Sequence, residues 1–383
     1  MAIAFLRRLK GDSDAVEPED APCHNNEDLT KPFPPRSRTM GAAATSPWGR
    51  RFLVAVRVAL TAVAAWALRR ELAGVGRSEL WRNLHRFDGR HLALGLGVTA
   101  AGFLLLGVVE LMALRFAGRS VARSVPRRVA LATSFVANAF SQSIGFALLT
   151  GPAVRLRAYS RGLDSAAITW VSAFVTATAT LGLLATGAAA LLGSAAPVKV
   201  AGALIAVRPA GALLALLVVA YLAWSAFGGS EEIGRGRWRV CRPLPAVAGA
   251  QVAISAIDWL LTGIVLLLLM PPSLSLPLAI FLRMYVVAQT VAVVSHVPAG
   301  LGVFEAVLME QLVVEVPSVD RAELAASVVM FRALYYLAPL VAAMAVAGVS
   351  EMRRVRRSRL TKSEPAGGDV VSQTMMARSA HVD

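Results

Sequence analysis

The sequence predicts an all-α polytopic membrane protein, with about six full crossings and two re-entrant or discontinuous helical hairpins arranged as an inverted repeat. Three observations carry this expectation. Hydrophobic residues make up 56% of the 383-residue chain and charged residues only 16%, where a soluble domain holds about a quarter charged. Apolar runs at 52–69, 92–114, 165–192, 208–228, 246–270 and 322–349 are each long enough to cross about 30 Å of hydrocarbon. Two further apolar stretches, 129–152 and 277–315, are interrupted at their centres by polar or helix-breaking residues.

Taken in order, residues 1–47 are polar, partly acidic and Pro-containing, and are expected to form a disordered cytoplasmic tail. MAIAFLRRLKG has too short an apolar core for a signal peptide, and Met40 is an alternative start just ahead of the first apolar run. The transmembrane domain is placed at 48–350, with half one at 50–192 and half two at 208–349. Segment 69–90, where Arg77, Arg82, Arg86 and Arg90 outnumber Glu79 and Asp88, reads as interfacial and amphipathic. Residues 351–383 read as a basic, then polar, disordered cytoplasmic tail. Cys23 and Cys241 lie in polar segments without CxxC spacing, so they suggest neither a disulfide framework nor a metal site.

The first interrupted stretch, VALATSFVANAFSQSIGFALLTG, places Asn138, Ser141, Gln142, Ser143 and Gly145 at its centre. The second contains SHVPAGLGVFEAV, 295–307, with His296, Pro298, Gly300, Gly302 and Glu305. Pro298 with Gly300 and Gly302 ends one half-helix, and Glu305 opens the next, where the helix dipole favours a carboxylate. Such backbone survives at membrane depth only against protein or water.

Loop charge sets the expected path. If each hairpin returns to the side it came from, Arg115, Arg119, Arg123, Arg127 and Arg128 are cytoplasmic, as are Arg155, Arg157 and Arg161. The same holds for Arg235, Arg237, Arg239 and Arg242, and for Arg353, Arg354, Arg356, Arg357 and Arg359. A full crossing at the first hairpin would put the arginines of 229–245 outside. Both termini are therefore expected in the cytoplasm of a plasma-membrane protein. Each half then holds an odd number of crossings and one hairpin, which inverts the halves, a recurrent plan of transporters.

The net charge of +15 belongs to these short basic segments. No helix-turn-helix, zinc-finger or aromatic-interleaved basic motif accompanies it, so nucleic acid is not an expected partner. Among the charges in the apolar runs, Arg283 and Arg332, and Glu110, Asp258 and Glu305, are read as intramembrane, while Arg57 lies nearer a membrane face and can snorkel. Isolated charges are costly there, so at least one Arg–carboxylate pair is expected to line a central cavity. Gly145 and Gly151 are expected to make the turn of the first hairpin and allow close backbone approach to a ligand, and Arg155 and Arg157 follow where a lipid phosphate would lie. The competing role for these arginines is anchorage at an anionic leaflet. Tyr335 and Tyr336 either present rings and hydroxyls to a cationic headgroup or pack at the interface. His296 and Glu305 lack further ligands for zinc, so no metal and no cofactor is expected. No GxSxG, P-loop or HExxH is present, and no enzyme activity is expected.

The segments SQSIGFALLTGPAVRLRAYSRGL, VPAGLGVFEAVL and FRALYYLAPL, in that order, resemble the transmembrane domain of the lysylphosphatidylglycerol flippase/synthetase family over roughly residues 50–350. The resemblance implies a domain that moves aminoacylated phosphatidylglycerol between leaflets. In that family a separate C-terminal cytosolic domain makes the lipid; this chain stops shortly after its last crossing, so synthase activity is not implied. The expected function is a lipid translocase for an anionic or aminoacylated phospholipid. Arg155, Arg157, Glu305, Arg332, Tyr335 and Tyr336 are its headgroup candidates. Two alternatives stand beside it: a non-transporting scaffold that supplies lipid to a separate synthase or envelope enzyme, and an intramembrane lipid-modifying transferase.

Overall fold

The computed structural model describes Arg82 and residues 87–363, apart from 145–146, 161, 194–197, 201–202, 206, 229–231, 234–239, 272, 275 and 296. The N-terminal tail, the run at 52–69, most of the segment at 69–90, Gly145 and His296 lie outside the described residues. Four long helices and one compound helix are long and apolar enough to cross a membrane: α1 (Gly89–Phe116), α5 (Ser165–Leu192), α6 (Val207–Phe227), α7 (Pro245–Leu268) and the span Arg321–Ser350. These coincide with five of the six expected crossings. The last span is compound: α10 (Arg321–Phe331), a π-helical turn (Arg332–Leu337) and α11 (Ala338–Ser363).

Local signals explain where these helices begin. Asp164 accepts a hydrogen bond from the Ala167 N–H at 2.9 Å ahead of α5, and Asp320 accepts from the Ala322 N–H at 2.8 Å ahead of α10. Pro245, at the first position of α7, lacks only an N–H that would find no helical partner.

The two interrupted stretches are hairpins. A short helix α2 (Arg119–Ser124) leads into α3 (Arg127–Ile144), which packs against α4 (Ala147–Tyr159). In the second, α8 (Leu278–Val294) and α9 (Val303–Glu315) flank a 3-10 turn at Pro298–Gly300. Their arms are tied side by side: Gln311 donates to the Met284 carbonyl at 3.4 Å, and Arg283 lies 3.9 Å from Glu315.

α1 packs against α3, α5 and α7, and α5 also against α6 and α7. The α5–α7 crossing is close because Gly182 has no side chain: a Cβ there would stand 2.6 Å from the Ser255 backbone carbonyl carbon. One core cluster surrounds α8, α9 and α10, with Phe304, Phe331 and Tyr335 stacked in series at 5.9 and 5.5 Å. Another joins α1 and α5 through Val109, Ala113, Val171 and Phe174. On α6 the exposed Leu213, Leu216, Leu217 and Val219 form a face suited to lipid chains.

Two expectations require correction. The second arm of the first hairpin runs on to Tyr159 rather than ending near 152, which brings Arg155 into the bundle. The basic segment after 350 is helical through Ser363, because extending a formed helix with Arg, Met and Leu costs little. The all-α expectation stands, with two small β-ribbons in loops among the described residues. They are β1 (Val198–Val200) with β2 (Ala203–Ile205), and β3 (Glu232–Ile233) with β4 (Val240–Cys241).

Candidate functional site

The turn at Pro298–Gly300 leaves backbone carbonyls that no helix can satisfy. Ala299 has φ 53°, Gly300 φ 61° and Gly302 φ 79°, so three residues within four positions adopt left-handed backbone. Arg332 closes this tip. Its Nη1 donates to the Ala299 carbonyl at 2.7 Å and its Nη2 to the Gly300 carbonyl at 3.4 Å. Its Nε donates to Glu305 Oε1 at 2.6 Å, and the Gly302 N–H donates to Glu305 Oε2 at 2.7 Å. Glu305 thus caps α9 and neutralises Arg332 with its two oxygens. The guanidinium carbon lies 4.7 Å from the centre of the Tyr336 ring and 5.5 Å from that of Phe304. The Arg332 side chain keeps 15% of its surface, while that of Glu305 keeps 4%.

A second ion pair lies deeper. Arg155 Nε is 3.0 Å from both oxygens of Glu110, and its Nη2 is 2.7 Å from Oε2. The Tyr159 hydroxyl, one turn further along α4, donates to Glu110 Oε1 at 2.9 Å. Arg155 is 3% exposed and Glu110 fully enclosed. Gly151, expected at the turn of the first hairpin, instead lies inside α4, because the arm is already helical from Ala147; it is buried one turn before Arg155, and a Cβ there would stand 3.1 Å from both Arg155 Nη1 and Ser141 Oγ. Arg155 and Arg157, both expected where a lipid phosphate would lie, face different ways. Residues two apart on a helix face about 200° apart, and Arg157 is exposed where Arg155 is enclosed.

The two hairpins meet. α3 touches the 298–300 turn and the π turn, and Ser143 Oγ donates to the Tyr336 carbonyl at 3.1 Å. α3 carries a polar stripe of Ser134, Asn138, Ser141 and Gln142, spaced i, i+4, i+7 and i+8. Ser134 donates to the Leu106 carbonyl of α1, Asn138 donates back to Ser134, and Thr150 of α4 lies 3.1 Å from Ser141. The last three residues of the stripe are only partly buried.

The other expected site residues separate. Tyr336 joins Arg332, whereas Tyr335 is enclosed against Phe331, its hydroxyl 2.8 Å from Thr262 of α7. Asp258 is buried on α7 away from both ion pairs, and Arg283 stands by Glu315. Two Arg–carboxylate pairs therefore form inside the bundle, but not around the cleft of about 190 Å³ seen near Phe87, His91, Met270 and Glu323. Sequence reasoning missed Tyr159, Glu315 and the continuity of the α3 stripe. The stripe's helical spacing was its available signal.

The family described as the lysylphosphatidylglycerol synthase TM region matches residues 54–343. An uncharacterized Synechocystis protein, slr0712, is 29% identical over 318 residues, covering 81% of this chain and 94% of that protein. The Escherichia coli inner membrane protein YbhN is 27% identical over 271 residues, covering 70% of this chain and 82% of its own length.

Proposed function

The chain belongs to the lysylphosphatidylglycerol synthase transmembrane-region family, and from that premise we propose that it is a translocase moving an anionic or aminoacylated phospholipid between leaflets. The observation that carries this reading is the junction of the two hairpins, where α3, which bears the polar stripe, touches both the 298–300 turn and the π turn that the Arg332–Glu305 pair ties together. A headgroup moving along this junction exchanges water for fixed polar partners while its acyl chains stay in lipid. That arrangement lowers the cost of carrying charge across hydrocarbon.

Arg332 and Glu305 are the headgroup residues of this proposal. Arg332 offers phosphate a planar fork in exchange for Glu305, and the released carboxylate offers a partner to an ammonium group. An aminoacylated phosphatidylglycerol carries both groups. Tyr336 supports the guanidinium through its ring face. The Glu110–Arg155 pair fastens α4 to α1, and Arg157 contacts the leaflet surface. Loop arginines favour cytoplasmic termini. The two halves, each with a hairpin facing the other, support an inverted repeat.

Reconstituted liposomes carrying fluorescent phosphatidylglycerol or its lysyl ester in one leaflet test the reading. Transfer should exceed that of empty liposomes and fall at least about tenfold, or about 1.4 kcal/mol in barrier, in a folded Arg332→Ala variant. Absence of transfer for both lipids overturns the proposal and favours a non-transporting partner of a separate envelope enzyme.

A further inference from the structure

A buried polar cluster lies on the α7 side of this junction and shares only Gln142 with the α3 stripe. Its centre is Asp258, midway along α7 and only 9% exposed. Among the described residues no ion pair reaches it, and its Oδ1 has no hydrogen-bond partner. Oδ1 faces the backbone of α1, where a Cβ on Gly102 would stand a tight 3.1 Å from it. Around it, Tyr285 Oη on α8 and Gln142 Oε1 on α3 are likewise buried without a well-formed hydrogen bond, with Thr262 near the first and Tyr335 near the second. The Tyr335 hydroxyl links the group. It is 2.8 Å from Thr262 Oγ1, Gln142 adjoins it, and both it and Tyr285 lie within electrostatic range of Asp258.

The cations on the neighbouring elements are engaged elsewhere: Arg283 of α8, about 200° round that helix from Tyr285, stands by Glu315, Arg332 of the π turn is held by Glu305, and Arg321 of α10 is exposed. α1 presents Gly102, and α5 carries no charged residue along its length. On α6, Arg208 is exposed at the helix start, and Tyr221 is engaged by Gln251 about two turns away along α7. On α10, Glu323 lines a cleft with Leu268 and Leu269, about three turns from Asp258. An ionised carboxylate without a partner at such a position costs several kcal/mol. Adding one proton removes the charge and supplies a donor to a cluster rich in acceptors.

We propose that Asp258 binds a proton that exchanges with the aqueous phase, and that this exchange couples lipid transfer to a proton gradient. The chemical step is reversible protonation of one carboxylate oxygen, with Tyr335, Thr262, Tyr285 and Gln142 as its polar surroundings. The coupling half rests on the translocase reading; the proton site does not.

Two measurements on the full-length protein in liposomes separate these halves. Infrared difference spectroscopy with isotopically labelled aspartate should show a protonated-carboxyl band that responds to bulk pH and disappears in Asp258→Asn. Replacing sodium with choline should leave it unchanged. If the Asn variant fails to fold, Tyr335→Phe retains the carboxyl and must shift the band, because the polar partner is gone. A gradient of about one pH unit, about tenfold in proton activity, should change the wild-type transfer rate several-fold. Asp258→Asn should abolish that response, and Asp258→Glu should keep it. No Asp258-dependent band, or a band governed by sodium, overturns the proton site. A gradient response that survives in Asp258→Asn overturns coupling through this residue. If wild-type protein moves no lipid, the translocase reading and the coupling fall, and the band alone decides the proton site.

Discussion

Glu110 and Arg155, forty-five residues apart in sequence, form a bidentate ion pair with a closest approach of 2.7 Å inside the helix bundle. This contact fixes the second arm of a hairpin to the crossing that precedes it.

Breaking one side of the pair should therefore cost more than removing both. Glu110→Ala leaves a buried guanidinium uncompensated and is expected to destabilise by about 3–5 kcal/mol. The double replacement Glu110→Met with Arg155→Met should recover much of that loss. Thermal unfolding in mild detergent, arranged as a double-mutant cycle, reads the difference.

Adjacent residues at the tip of the second hairpin should respond with opposite signs. Ala299 holds a left-handed conformation that costs an L-residue about 1–2 kcal/mol, so Ala299→Gly should leave stability equal or improved. Gly300→Ala adds the same strain and a Cβ 2.7 Å from that of Ala292. It should lower the unfolding temperature, and a rise would show that the turn has another conformation.

Arg332→Lys keeps the charge yet loses the fork that spans Glu305 and two turn carbonyls. The expected loss is about 1–3 kcal/mol in stability, with lipid transfer reduced more than by a conservative change on the exposed face of α6. Side-by-side melting and transfer assays check this.

Gly182→Ala should destabilise by about 1–3 kcal/mol or more through overpacking of the α5–α7 crossing. Because the obstruction includes Ser255 backbone, Ser255→Gly should rescue little of it. Full rescue would mean that the side chain alone sets the approach of the two helices.

Much of this architecture is visible in the sequence for physical reasons. Hydrocarbon thickness fixes the length of an apolar crossing, and α1, α5, α6, α7 and the compound span follow it. The hairpin tips are visible because Pro298, Gly300 and Gly302 cannot continue a helix in lipid. Glu305 and Arg332 stand out as charges in apolar runs, and the structure joins them. Arg155 misleads because it lies just beyond a polar interruption and next to other arginines. Its partner Glu110 is chosen by tertiary packing, which sequence spacing does not encode. The same holds for Arg283, whose neighbour Glu315 lies at the end of α9 rather than within an apolar centre.

The π turn at Arg332–Leu337 sets the rotational phase of the last helix. An α-helix turns about 100° with each residue, so one residue of extra slack rotates everything beyond it by that angle. In the present phase Ala343 is enclosed and packs with Val136 and Ala139 of α3. Tightening the turn to α-helical winding would swing this seam of α11 off α3 and toward lipid. Arg332 begins that turn and also clasps the opposing tip. The winding of six residues thus ties the grip on one hairpin to the helix that backs the other.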